Sequence, residues 1–227
     1  MIEQSKEMNK NGSLYATNVS KESLSFLFIK RLIDIIGSLC GLIITLPLFI
    51  VISVLSLNGE SKGPIFFKQQ RYGKNGKLFN IYKFRSMVVN ADEKLKNNKE
   101  LYDLYINNSY KLEPEVDPRI TKMGLFLRRT SLDELPQLIN VLKGEMSLVG
   151  PRPIVKEELV EYKNREKDFL RVKPGVTGYW QVSGRSDVGY PERADLELYY
   201  VYNKSIGLDI KIIVQTIIVV LLKKGAY

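Results

Sequence analysis

Histidine is absent from these 227 residues, and the gap excludes more chemistry than any residue present supplies. Without it there is no Ser-His-Asp or Cys-His couple, no His phosphorelay and no His-containing metal site. Cysteine occurs once, at Cys40 inside an apolar run, so disulfides within the chain and thiolate zinc clusters are excluded as well. Cys40 reads as a small hydrophobe. No Walker or dinucleotide glycine motif occurs, nor any internal repeat or low-complexity run. Residues 1–25 are polar, weakly patterned and unlike a signal peptide; they read as a flexible N-terminal tail.

What is present is positive charge and two apolar stretches. Lys and Arg total 34 against 25 Asp and Glu, a net charge of +9. That surplus suits phosphate-rich ligands, an anionic membrane surface or nucleic acid. The length allows one substantial core and is short for two full domains. Ile35 to Leu57 carries no charge at all, and it exceeds the roughly 20 apolar residues that a membrane helix needs.

The flanks of that run complicate a simple span. Lys30 and Arg31 precede it, and Lys62, Lys68, Arg71, Lys74 and Lys77 follow it, so both ends look cytoplasmic by charge. Pro47 near its middle removes a backbone hydrogen bond and disfavours a straight helix. A kinked span and a re-entrant hairpin over residues 26–60, broken at Pro47, fit the residues equally well. Asp34 at the entry is placed to pair with Lys30 or Arg31. The weaker C-terminal stretch, residues 205–227, suits an interfacial helix or a buried core element about equally.

Residues 61–204 form the polar body. "GPIFFKQQRYGKNGKLFNIYKFRSM" alternates on either side of "KNG" and predicts two strands joined by an Asn75-Gly76 turn. "VVNADEKLKNNKELYDLYINNS", "PIVKEELVEYKNREKDFL" and "YPERADLELYYVYNK" read as helices, and "RVKPGVTGYWQVSGRS" as a structured loop over a cleft. Tyr179, Trp180, Tyr199, Tyr200 and Tyr202 suit either headgroup level or a core, and Tyr199 to Tyr202 fit a core better. Together the patterns give an α+β fold without βαβ regularity.

Asp133 and Glu134 stand side by side in "RRTSLDELPQLINVLKG". Ser131 with Glu134 makes a capping box at the head of a helix that Gly144 would end, which is a sufficient structural account. The same geometry also serves chemistry. A carboxylate in a first helical turn stays ionised and available as a nucleophile toward phosphorus. Arg128, Arg129 and Arg152 would screen an incoming pyrophosphate. The adjacent carboxylate would hold Mg²⁺, which favours carboxylates with substrate phosphates.

The ordered set "KRLIDIIGSL", "GPIFFKQQRYG", "IYKFRSM", "DPRIT", "LRRTSLDELPQLINVLKGEMSLVGPRP" and "PGVTGYWQVSGRS" resembles the bacterial sugar transferase family, the monotopic phosphoglycosyl transferases, from about Phe28 to Tyr227. The resemblance implies transfer of hexose 1-phosphate from UDP-galactose or UDP-glucose to undecaprenyl phosphate, the first membrane step of exopolysaccharide, capsule or glycan assembly. It implies Asp133 as the nucleophile that releases UMP and forms an aspartyl-phospho-sugar, with Glu134 holding Mg²⁺. It implies Arg128, Arg152 and Arg185 at the substrate phosphates. It also implies a re-entrant hairpin at Pro47, with the catalytic domain on the cytoplasmic face of the bacterial inner membrane. Where many relatives have Ser-Pro at the break this chain has Leu46-Pro47, with Thr45 expected to repair the backbone. The chain further resembles the short, stand-alone members.

Polysaccharide-assembly partners and a homodimer are compatible with this reading, and nucleic acid is not an expected partner because the basic residues are dispersed and no motif for it occurs. Two readings from other classes remain on residues alone: a membrane-tethered binder of acidic lipid or nucleic acid, and a non-catalytic scaffold for polysaccharide machinery.

Overall fold

The computed structural model describes residues 22–57, 62–108, 110, 112–115, 117–184 and 188–221. The expected tail lies outside these as far as residue 21, and so does Arg185.

Helix α1, Leu24–Leu55, opens on Ser23, whose side chain accepts a hydrogen bond from the Phe26 N–H. The expected helix-break-helix is not seen as two limbs: this is one helical element with Pro47 inside it. Thr45 Oγ1 donates to the Gly41 carbonyl at 2.7 Å. It therefore does not serve Ile43, the residue four back whose carbonyl loses its usual partner at proline. Most of the large side chains of α1 face outward, Phe28, Ile36, Ile43, Ile44, Ile50 and Val54 among them, and Cys40 is exposed with them.

The other face of α1 is bound to the body along its length. Lys30 Nζ donates to Val149 O, Tyr200 Oη and Asp209 Oδ2, the last at 2.6 Å. Arg31 donates to the carbonyls of Val141 and Leu142. Asp34 accepts from Ser147 Oγ at 2.9 Å and from the Leu148 N–H at 2.8 Å. A turn and more further on, Cβ atoms at Gly37 and Gly41 would stand 2.6 and 2.9 Å from the side chains of Leu148 and Leu138, so the glycines permit close approach. Near the far end, Phe49 and Ile52 pack with Phe84 and Leu127.

The predicted hairpin forms. β1, Phe66–Tyr72, pairs antiparallel with β2, Leu78–Phe84, from Phe66↔Phe84 to Tyr72↔Leu78. Asn75 and Gly76 both have positive φ, 59° and 75°, which the twist of a tight hairpin favours. The charged stretch beyond it forms two helices, α2 (Ala91–Asn97) and α3 (Lys99–Asn107), the second capped by Asn98. Helix α4, Lys122–Arg129, starts at Thr121 and crosses the end of β2 so closely that a Cβ at Gly124 would meet Ser86 O at 1.8 Å.

Helix α5, Gln137–Lys143, ends at Gly144 with φ 80°. Its Asn140 accepts from the Tyr82 N–H and donates to Asn80 O, which locks α5 along β2. Strands β3, Ser147–Val149, and β4, Gly175–Thr177, form a short parallel pair that the sequence pattern does not announce. Gly150 and Gly175 touch there: a Cβ on Gly175 would lie 2.1 Å from Gly150 N.

The stretch 157–169, expected as an amphipathic helix, is a 3₁₀ turn over Glu157–Arg165 kinked at Lys163 (φ 52°), followed by the four-residue α6, Glu166–Phe169. The expected loop over a cleft contains β4 and α7, Tyr179–Ser183. Helix α8, Glu192–Asn203, buries Leu198, Tyr200 and Val201, and Tyr199 stacks on Tyr179 at 4.6 Å. Tyr200 and Trp180 are core residues. Helix α9, Ile206–Leu221, divides its surface: Ile212 is fully buried against Val149 and Tyr200, while Ile210, Val214, Ile217 and Ile218 are exposed. The C-terminal stretch is thus one helix with a face buried in the core and an exposed apolar face.

Candidate functional site

The carboxylate pair does not sit on an α-helix N-terminus. Helix α4 ends at Arg129, Ser131 takes a left-handed conformation (φ 56°), and Leu132–Glu134 form a 3₁₀ turn before α5 starts at Gln137. Ser131 makes no side-chain cap bond, so the expected capping box is not formed. Leu132 and Leu135, three apart on this turn, pack into the Ile52, Phe84 and Leu127 cluster. The turn that carries Asp133 and Glu134 is thereby fastened to the far end of α1.

Asp133 is 7% exposed. Burial pushes its carboxyl up to about 6; Lys83 opposes that, Glu134 adds to it by like-charge repulsion, and Arg128 and Arg152 oppose it. The direction is opposite to the helix-terminus expectation, because burial outweighs the arginines. The group still carries its charge at neutral pH. Glu134 pairs with Lys83 Nζ at 2.6 Å and lies 3.7 Å from Arg152 Nη1.

Arg128, in the last turn of α4, donates from Nε to Ser86 Oγ at 3.0 Å. Arg129, next to it, turns to the surface and pairs with Glu115 at 2.7 Å. The structure therefore brings together Asp133, Glu134, Arg128 and Arg152 but not Arg129. Pro47 lies within α1, away from this turn in sequence and on a different element.

An open cleft of about 240 Å³ adjoins the pair, lined by Arg71, Lys83, Glu134, Gln137, Arg152 and Gln181 among others. Gly150 and Gly175 let the "GPRP" and "PGVTG" segments close on each other, which sets Arg152 beside Gln181 on the cleft wall. Arg71 Nη1 donates to Pro153 O and to Glu158 Oε1, both at 3.3 Å. Its Nε and the Oε1 of Gln181 are buried without a partner among the described residues. An unsatisfied guanidinium N–H and an unsatisfied amide oxygen on one cleft wall match a ligand with both acceptors and donors.

Behind that wall lies a buried ionic group. Arg193 pairs with Glu158 and Glu197 at 3.2 Å each, and its guanidinium lies over the rings of Trp180 and Tyr190. Tyr190 donates to Glu158, and Tyr162 donates to Glu197. Burial alone would raise Glu158, but Arg193 and Arg71 outweigh it and hold the carboxyl below its usual range.

Lys83, Arg71 and Gln181 were not singled out from sequence. Lys83 had a readable signal: it follows Phe79 and Ile81 at every second position of β2, where an inward register calls for an apolar side chain.

The two carboxylates, one of them buried, are set among lysine and arginine side chains on a mixed helix and sheet body beside a long apolar helix, an arrangement whose charge suits an anionic ligand. The chain belongs to the bacterial sugar transferase family, which it matches over residues 25–223. It is 49% identical over 214 residues to the undecaprenyl-phosphate galactose phosphotransferase of Salmonella typhimurium, covering 92% of this chain and 44% of that protein. It is 45% identical over 205 residues to the galactosyl transferase CpsE of Streptococcus agalactiae serotype III, covering 89% and 44%. It is 42% identical over 202 residues to the exopolysaccharide production protein ExoY of Sinorhizobium fredii, covering 87% and 88%. The chain thus spans less than half the length of the first two relatives and most of the third.

Proposed function

We propose that this chain is an enzyme that transfers hexose 1-phosphate from a UDP-hexose to undecaprenyl phosphate through Asp133. A buried carboxylate, charged at pH 7 and faced by Lys83, Arg128 and Arg152, carries this reading. A carboxylate oxygen of Asp133 attacks the sugar-proximal phosphorus; the bond from that phosphorus to the bridging oxygen breaks, and UMP leaves with the electron pair. An oxygen of undecaprenyl phosphate then attacks the same phosphorus, the bond to Asp133 breaks, and the diphosphate-linked hexose is released.

Lys83 and the two arginines neutralise the approach of anion to anion and the charge that gathers on the phosphoryl oxygens. Arg71 and Gln181 are placed to bind the donor where they line the cleft. Galactose in the names of two relatives favours UDP-galactose, with UDP-glucose, which differs at one hydroxyl, as the alternative.

Asp133 and Glu134 fit Mg²⁺ in kind, since that ion takes one or two carboxylates with substrate phosphates and water. No group of three or more His, Cys, Asp or Glu side chains suited to a metal occurs among the described residues. Glu134 would hold the ion, and bound there it would supply positive charge to the phosphates.

The apolar surface of α1 supports insertion in a membrane, and the bonds of Lys30, Arg31 and Asp34 at one end and of Ile52 at the other to a single body support entry and exit on one side. The lysines and arginines flanking α1 favour the cytoplasmic face of the bacterial inner membrane.

Incubating the protein with UDP-galactose or UDP-glucose alone tests the chemistry. The peptide containing Asp133 is expected to gain the mass of a phosphohexose with one equivalent of UMP released, and Asp133→Asn to give neither. Turnover retained by the Asn variant would overturn the assignment.

A further inference from the structure

A second concavity, open to solvent, lies at the first turns of α1. Lys30, Arg31, Lys74, Lys173 and Lys204 line it against only two carboxylates, Glu22 and Asp34, with Phe26, Leu27 and Val172 as its apolar part. Both carboxylates are committed. Glu22 lies 3.4 Å from Lys74 and 3.4 Å from Lys204, and Asp34 accepts from Ser147 and the Leu148 N–H. Lys30 is held by Asp209, and Arg31 by the carbonyls of Val141 and Leu142.

Lys173 is different. It is half-buried and makes no hydrogen bond or salt bridge among the described residues. Burial and then the charges of Arg31, Lys74 and Lys30 push its ammonium below the usual lysine range, against a weaker pull from Asp34. A concave site with excess cations, one of them an ammonium with no side-chain or backbone acceptor among the described residues, suits an anion.

The surroundings say which anion. Leu24 and Phe28, on the same first turns of α1, are 84% and 71% exposed, and Leu27 reaches from the cavity to the surface. Positive charge is thus continuous with an apolar face, as a lipid with an anionic head requires. The site is separate from the catalytic cleft: Arg31 meets the C-terminal carbonyls of α5, whereas Gln137, at the opposite end of α5, lines the cleft.

We propose that this cavity is a headgroup site for an anionic phospholipid, with the phosphate diester received by Lys173 between Arg31 and Lys74 and the acyl chains laid along Phe26, Leu27 and Phe28. The site rests on the membrane seating of α1 but not on the reaction at Asp133. Its role is to fix the depth and rotation of the body at the bilayer surface.

The test uses the full chain in mild detergent, with native mass spectrometry counting retained dioleoyl phosphatidylglycerol or dioleoyl phosphatidylcholine. One phosphatidylglycerol is expected to be retained in preference to phosphatidylcholine. Lys173→Gln is expected to lower that retention about fivefold, the factor for one basic group at an anionic surface, and Lys173→Arg to restore it. Lys211→Gln, at an exposed lysine of α9, is expected to change it less than twofold. Equal losses from Lys173→Gln and Lys211→Gln would reduce the effect to general surface charge and overturn the site. So would unchanged retention in Lys173→Gln, or displacement of the lipid by equimolar inorganic phosphate. Partition onto vesicles of phosphatidylcholine alone reads the membrane seating by itself: its absence would overturn that seating and the site with it, whereas partition with unchanged retention in Lys173→Gln would overturn the site alone.

Discussion

Asp133 is a buried acid whose pKa stands above its value in an unfolded chain, and the sign of its effect on stability follows. Below about pH 4 both states bind the proton and burial costs nothing extra. Between about pH 4 and 6 the unfolded chain releases its proton first, so stability falls as pH rises, and above 6 the full penalty persists. The shift corresponds to roughly 3 kcal/mol at most. Asp133→Asn is therefore expected to be inactive yet more stable than the natural chain at pH 7.5, by about 1–3 kcal/mol. The gain should vanish below pH 4. Urea unfolding in detergent without divalent cations at both pH values measures it. A variant less stable at pH 7.5 would show that Asp133 holds the turn together.

Lys83 works in the other direction. It is the strongest cation acting on Asp133 and the close partner of Glu134. Lys83→Met should raise the acid limb of kcat/KM above about pH 6, because that limb reports the free enzyme's essential base. An unmoved limb would remove Lys83 from the electrostatics of the site. At this scale the sequence was informative about identity and poor about environment. Asp133, Glu134, Arg128 and Arg152 could be read off as a group that the fold sets close together, but Arg129, grouped with them, faces the surface. Nothing local to "SLDEL" says that the carboxyl of Asp133 is buried, since the turn packs against β2, far away in sequence.

Elements whose signal is local were legible, and those fixed by long-range contacts were not. The β1–β2 hairpin followed from alternation and the Asn75-Gly76 turn, and α8 from its own periodicity. The 157–169 stretch has a helical pattern, but Tyr162, Glu158 and Phe169 are each claimed by the core or by the ionic group around Arg193, and a 3₁₀ path kinked at Lys163 reaches all three. The β3–β4 pair is three residues a side and parallel, so neither strand has a pattern of its own. Arg193 is the joint of this region: it is 1% exposed and ties α8 to the 157–165 turn through Glu158, while Glu197, on α8 itself, pairs with Arg193 and accepts from Tyr162 of that turn. Arg193→Met leaves Glu158 and Glu197 buried with less compensation and should cost about 3–5 kcal/mol. The urea midpoint should fall at pH 7 and recover in part as the two carboxyls are protonated in acid. A loss below about 1 kcal/mol would mean that the ion pairs of Arg193 do not hold the joint.

At the scale of the whole molecule the topology of α1 and the catalytic turn are one problem. The residues alone left kinked span and re-entrant hairpin balanced, with only the family resemblance implying the hairpin, because they show the lysines on both flanks but not what the helix touches. Phe49 and Ile52 share a cluster with Phe84 and Leu127, and Leu132 and Leu135 of the Asp133 turn pack into the same cluster. If α1 crossed the bilayer, these side chains would leave the body that Lys30 and Asp34 grip at the other end. The Leu132 and Leu135 contacts that hold the turn would be lost with them. The proposed one-sided seating of α1 keeps both ends docked, and a span would have to give up the contacts behind Asp133. Single cysteines at Ser25 and Lys62, in a chain with Cys40→Ser, test this in intact spheroplasts with a membrane-impermeant maleimide. Both positions should stay unlabelled until the membrane is opened, and labelling of one alone from outside would establish a span. Ile52→Ala supplies the link to catalysis. It should cost about 2–4 kcal/mol through the cavity it leaves and lower kcat more than it raises KM for the donor, because it loosens the turn behind Asp133 without touching the cleft wall.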